Sequence, residues 1–132
     1  MVIGLEEFLN KLRQKTEQQL NLFSSISPMM LGDKESIAIR PTPSSNDTWQ
    51  LDKAYTYNHG IQLLVKHQNW AIGWQTIQQI NNIWNGATKD DLNIPELTIL
   101  ETTTNPNWVE KDNHNYHIFT ALYNAELEKR RS

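Results

Sequence analysis

The chain has 132 residues and a formal net charge of −3; that length makes one domain over 1–132, able to bury roughly two-thirds of the surface its unfolded chain exposes. Its 12 Lys and Arg residues are scattered apart from Lys129, Arg130 and Arg131, so the basic face with which a domain tracks a nucleic-acid backbone is not expected. The absence of cysteine excludes disulfides, thiolate metal sites and cysteine nucleophiles, and no run approaches the ~20 apolar residues of a membrane span.

Leu5, Phe8, Leu9, Leu12, Thr16, Leu20 and Phe23 recur at steps of three and four with charged residues between them. This period predicts an amphipathic helix of about five turns, stopped by 24-SSISP-28. Ile37 to Arg40 read as a short strand, halted or held at a sheet edge by Pro41 and Pro43, because proline cannot donate to a ladder. The segment 44-SSNDTWQLD-52 reads as loop. From Tyr55 the pattern alternates through Tyr57, Ile61, Leu63 and Val65, with a bulge or kink expected at Asn58-His59-Gly60. Trp70, Trp74, Ile77, Ile80 or Asn81, and Trp84 then fall at helical spacing; Asn69 stands at the N-cap position and Asn85-Gly86 supplies the stop. Beyond the polar loop 87-ATKDDLNIP-95, 96-ELTILETTT-104 reads as a strand closed by Asn105 and Pro106. An edge strand in 107-NWVEKD-112, a tight turn and a long strand, 116-YHIFTALYNAEL-127, follow. Both faces of that last strand are apolar in its middle, as a central or interface strand requires. The expected fold class is α/β in the α+β sense: two helices on one face of a mainly antiparallel or mixed sheet, in the order α-β-β-α-β-β(-β).

The residue types that carry chemistry do not converge. His114 and His117, three apart on a turn or strand, are not directed onto one ion by their spacing. His59 and His67 have no acidic companion at a fixed distance. No serine stands in a G-x-S-x-G elbow, and the isolated glycines form no phosphate cradle. The loop carboxylates Asp90 and Asp91 serve solubility rather than pairing with Glu96 or Glu101 as a glycosidase would require. No catalytic, cofactor-binding or metal-ligating residue is assigned, and neither enzymatic activity nor a cofactor is expected. An enzyme would need a pocket joining at least two of His59, His67, Glu101 and His117. The aromatics are more informative. Trp74 and Trp84 fall on the helix stripe as core anchors, whereas Trp49 and Trp108 stand in polar or proline-bounded segments. Those two are candidates for a subunit or partner interface, where such rings are enriched.

An N-terminal amphipathic helix is followed by 37-IAIRPTP-43, the aromatic-Gly approach 55-YTYNHG-60, the strand-into-helix stretch 62-QLLVKHQNWAIGWQTIQQINNIW-84, the break in 99-ILETTTNPNWV-109 and the last strand 116-YHIFTALYNAEL-127. In that pattern, over nearly its full length, the chain resembles the tail-terminator (tail-to-head joining, minor capsid) proteins of long-tailed bacteriophages and prophages. The resemblance implies an α/β domain without enzymatic activity that assembles as a homo-oligomeric ring, commonly a hexamer, caps the phage tail-tube protein and joins it to head-connector proteins. It places the protein in the virion, and in the bacterial host cytoplasm during assembly, with no sequence-specific nucleic-acid partner and no membrane partner. In such a ring the strand from Tyr116, or the segment around Tyr55 and Tyr57, would extend a neighbour's sheet. Those tyrosines therefore join Trp49 and Trp108 as interface candidates. The alternative is a small intracellular protein-binding adaptor without catalytic activity, gripping one partner through Trp49 and Trp108.

Overall fold

The computed structural model describes residues 4–42, 48–49 and 54–130; the side chains at 48, 49, 54–56, 129 and 130 are not among those described. The first helix, α1 (Leu5–Gln19), buries Phe8, Leu9, Leu12 and Thr16. It is shorter than its apolar period predicts, because Leu20 leaves it in an extended conformation. The serine-rich stretch read as a stop instead carries a strand, β1 (Ile26–Pro28). Two side chains of the helix hold that strand: Glu17 Oε2 accepts the Ile26 N–H at 2.7 Å, and Arg13 Nη1 donates to the Ile26 carbonyl at 2.9 Å. The chain has to turn back before Phe23 to lay Ile26 beside the sheet.

That sheet also contains β2 (Ser36–Thr42), the two-residue β3 (Thr48–Trp49), β4 (Ala54–His67), β5 (Leu97–Lys111) and β6 (His117–Arg130). The strand order is β1-β2-β4-β6-β5, with β3 pairing β4 off that path. The β1–β2 pair is parallel and the other pairs are antiparallel, so the sheet is mixed. Pro41 lies beyond the pairing with β1, which ends at Ile39, so its missing N–H falls where no neighbouring strand asks for it. The expected bulge at Asn58-His59-Gly60 is absent. Pairing of β4 with β6 runs without a shift from Ala54↔Arg130 to His67↔His117, and Asn124 donates to Asn58 Oδ1 across it at 3.0 Å. A full-length partner strand overrides the local turn preference of those three residues. Likewise, Asn105-Pro106 does not close a strand. β5 runs on to Lys111 and absorbs the proline in register shifts on either side of Thr104, which an edge strand tolerates.

The second long helix, α2 (Trp70–Trp84), is followed by a one-turn helix, α3 (Lys89–Leu92), in the stretch read as loop. Thr88 and Asp91 form a capping box at the start of α3. Both long helices pack on one face of the sheet, α1 over β1 and β2, α2 over β4, β5 and β6. Ile37 and Ile39, Ile61, Leu63 and Val65, and Phe119, Ala121 and Tyr123 point into the core between the layers. Trp84 joins the two helices. It is fully buried, its indole N–H donates to Thr16 Oγ1 at 2.8 Å, and its ring meets Tyr123 edge-on at 4.9 Å. The opposite face of the sheet is polar in its middle, where Arg40 donates to Gln62 and Gln62 to Thr120. No helix among the described residues is long and apolar enough to cross a membrane.

Candidate functional site

The junction between β4 and α2 is built as a double cap. Asn69 Oδ1 accepts the Ile72 N–H at 3.2 Å, one of the donors that a helix start leaves unpaired. The Asn69 N–H in turn donates to His67 Nδ1 at 2.9 Å. Replacing Asn69 with alanine is expected to lower stability by about 1 kcal/mol, read from denaturant midpoints at an unchanged m-value; a loss above about 2 kcal/mol would mean that the residue does more than cap.

His67 is buried, with the Phe23 ring edge-on at 4.8 Å. Its Nδ1 accepts the Asn69 N–H and lies 3.2 Å from Glu35 Oε2. Directly across the ladder from His67 is His117, whose Nδ1 accepts the Trp108 indole N–H at 3.1 Å. The structure thus pairs His67 with His117 on the ladder, two of the four residues of which an enzyme would need at least two in one pocket. Both imidazoles are already engaged as acceptors, while His59 and Glu101 lie opposite Ala125 and Asn124, farther along the sheet. Among the described residues no group of three or more His, Asp or Glu could hold a metal ion.

What surrounds this pair is aromatic. Trp70 stacks on Trp74 at 5.6 Å, and both rings lie against the buried Phe119, at 5.7 and 6.0 Å. Phe23, Trp70 and Trp108 remain 37, 44 and 48% exposed, and Ile72 stands exposed on the same end of α2. A shelf of rings therefore covers the His67/His117 end of the sheet. The helical period identified Trp70 and Trp74 as residues of one stripe; it gave no signal that this stripe runs past the end of the core.

The five interface candidates are distributed unevenly. Trp108 is exposed on the edge strand β5. Tyr57 is corrected: it is 5% exposed and points into the core, with its ring edge-on to His59. Tyr116 is half-buried beneath the Lys66 ammonium, 5.0 Å from its ring centre. The strands proposed to extend a neighbour's sheet are also corrected, since β4 and β6 are interior strands with both sides paired over most of their length. The backbones of Trp49 and Tyr55 pair with each other; as side chains, both candidates lie outside the described residues.

Lys66, whose sequence context suggests a solvated charge, is instead a latch. Its ammonium donates to the carbonyls of Gly32 and Asp33 at 3.1 and 3.2 Å and lies 3.4 Å from Asp112 Oδ2. Asp112 is held below the ordinary carboxylate range, chiefly because its carboxylate accepts the backbone N–H of Tyr116; burial opposes this, and the His114 N–H and Lys66 add to it. A depressed folded-state value contributes stability above the unfolded value that is lost as pH falls through the folded one. The turn is therefore expected to loosen only below about pH 4, seen as faster amide exchange at His114 and Tyr116 in acid. Unchanged exchange down to about pH 2 would remove Asp112 as the clamp of this turn.

Searches of protein-family models and of curated proteins return no match to this chain.

Proposed function

We propose that this protein is a structural component of a long-tailed phage or prophage, a tail terminator that assembles as a ring, caps the tail tube and joins it to the head connector. One observation carries the reading from the side of the molecule: two large rings, Phe23 and Trp70, are left exposed at one end of the sheet, Phe23 over buried His67 and Trp70 over buried Phe119 with Trp74 stacked on it. Scattered apolar residues are ordinary on a soluble surface, but a group of aromatics seated on a rigid core marks a place where another protein docks. The α+β architecture agrees with the family pattern to which the sequence is similar. A shelf at the end of the strands, rather than along an edge, suits contact with a partner stacked above or below a ring.

The test is co-sedimentation and electron microscopy of the purified protein with tail tubes of a long-tailed phage. Ring-shaped caps at tube ends are expected, and Trp70→Ala should weaken tube binding at least ~10-fold, on the order of 1.4 kcal/mol or more, while leaving the fold intact. A strict monomer at every concentration that also ignores tail tubes would sink the proposal. A stable one-to-one complex with a single unrelated protein would favour the adaptor instead.

A further inference from the structure

Resting on the ring reading, we propose how neighbouring copies join: Trp108 and Val109 of one copy seat in the apolar groove of the next, formed by Leu5, Leu9, Pro28, Met29 and Pro41. Trp108 and Val109 are 48 and 47% exposed near the end of β5, and Met29 is 56% exposed on the groove. β5 and β1 are the two opposite edges of the sheet. A ring is a head-to-tail assembly, in which one surface of each subunit must match a different surface of its neighbour. Two unlike apolar patches on opposite edges meet that requirement.

Their heights along the strands differ by a short step. Following the ladder across the sheet, Pro28 lies opposite Ile39, Ile39 opposite Leu63, and Leu63 opposite Ala121. Pro41, also on the groove, lies opposite Ile61 and Ile61 opposite Tyr123, whereas Trp108 lies opposite Phe119, so the groove stands two to four residues along the strands from Trp108, a step of about 7–14 Å. The same step of four residues separates Glu110, opposite Ile118, from Arg40, which lies opposite Gln62 and through it Leu122. Trp108, paired with Phe119, lies on the helix-covered face, and the groove opens between α1 and the β1–β2 edge on that same face.

The chemistry of the groove selects a side chain over a strand. Pro28 and Pro41 remove two amide donors from that edge, so it is a poor template for sheet extension. What it offers is apolar side chains, about 440 Å³ of open groove, enough for one indole. The charges beside each patch are complementary, face by face. Exposed Lys111, opposite His117, is on the helix side, as is exposed Glu6 on the groove. Exposed Glu110 pairs with Ile118 on the opposite face, where Arg40 lies beside Pro41 and bonds Gln62. A neighbour shifted by those four residues carries Trp108 to the height of Pro41, brings Glu110 to Arg40, and moves Lys111 toward Glu6 on the helix side.

The full-length chain, followed by mass photometry and sedimentation across a wide concentration range, tests this. Trp108→Ala and Met29→Glu should each raise the assembly midpoint at least ~30-fold, with the far-UV circular dichroism unchanged because both positions are exposed. Glu6→Lys and Lys111→Glu should each weaken assembly, and the two combined should recover it to within ~3-fold of the parent, which a merely structural role would not produce. Because the chain contains no cysteine, Met29→Cys with Val109→Cys should give a ladder of disulfide-linked copies on oxidation. Rings that form normally in Trp108→Ala and Met29→Glu, with no recovery in the double charge reversal, would overturn this contact and leave the ring reading standing. A parent protein that stops at a dimer overturns the contact as well. A parent that stays monomeric and ignores tail tubes overturns both.

Discussion

Replacing Trp84 with alanine is expected to lower stability by about 3–5 kcal/mol, which for a domain of this size is a fall in Tm of roughly 10–20 °C. The ring is fully buried between the two long helices and the sheet. Its loss leaves a cavity that neither helix can collapse into without leaving its strands, because α1 is tied to β1 through Arg13 and Glu17. The indole N–H also bonds Thr16 Oγ1 at 2.8 Å, and that hydroxyl donates onward to the Leu12 carbonyl at 2.7 Å. After truncation Thr16 keeps its donor role and loses only an incoming bond, so most of the cost is cavity and lost contact rather than an orphaned polar group. Trp84→Phe should recover more than half of the loss. Denaturant unfolding of the three proteins measures this directly, and a loss under about 1.5 kcal/mol for the alanine variant would mean that the helices are not joined through this residue.

Gly73→Val is expected to cost about 3 kcal/mol, and Gly73→Ala to destabilise even though helix propensity alone predicts a gain of about 1 kcal/mol. A Cβ at this position would come 2.5 Å from Phe119 Cε1, 3.1 Å from its Cδ1 and 3.4 Å from His67 Cβ. The Phe119 ring cannot swing aside: it is fully buried, with Trp70 and Trp74 against it. To admit a methyl group, the first turn of α2 must lift from the sheet, carrying exposed Trp70 and half-buried Trp74 with it. The stability loss should therefore come with a change in tryptophan fluorescence in the native baseline. An alanine variant as stable as the parent, or more so, would show that the ring has room to move and would remove Gly73 as the reason the aromatic shelf lies so close to the ladder.

Helix α2 was the most legible part of the chain. Its tryptophan period, the Asn69 cap and the Asn85-Gly86 stop are all local, and Gly86 adopts φ 80°, the left-handed conformation a glycine stop supplies. The start of α1 was equally readable, but its end was not, because Glu17 and Arg13 engage a backbone nine and thirteen residues onward. Both expected strand interruptions are absent for one reason. Asn58-His59-Gly60 and Asn105-Pro106 carry turn-forming residues, and whether such residues turn depends on the strands beside them. The first run is locked against β6, and the second lies on an edge where a missing donor costs little.

The candidate site shows the same division. Trp108 was recognisable as a ring without a core stripe, but Tyr57 was not recognisable as buried, since alternation alone does not say which face of a strand the helices cover. The pairing of His67 with His117 joins residues fifty positions apart, and the Lys66 latch joins β4 to the 32–33 and 112 turns.

The amino-acid sequence by itself determined the periods of the helices, the cap of α2 and the core role of Trp84. These follow from side-chain spacing and from hydrogen bonds within about four residues, interactions that any chain with this order would form. Only the tertiary structure decided which strands lie at an edge, which aromatics stay exposed and which histidines meet. Those properties depend on partners contributed by distant segments, and on whether a layer of the protein or solvent lies above each face.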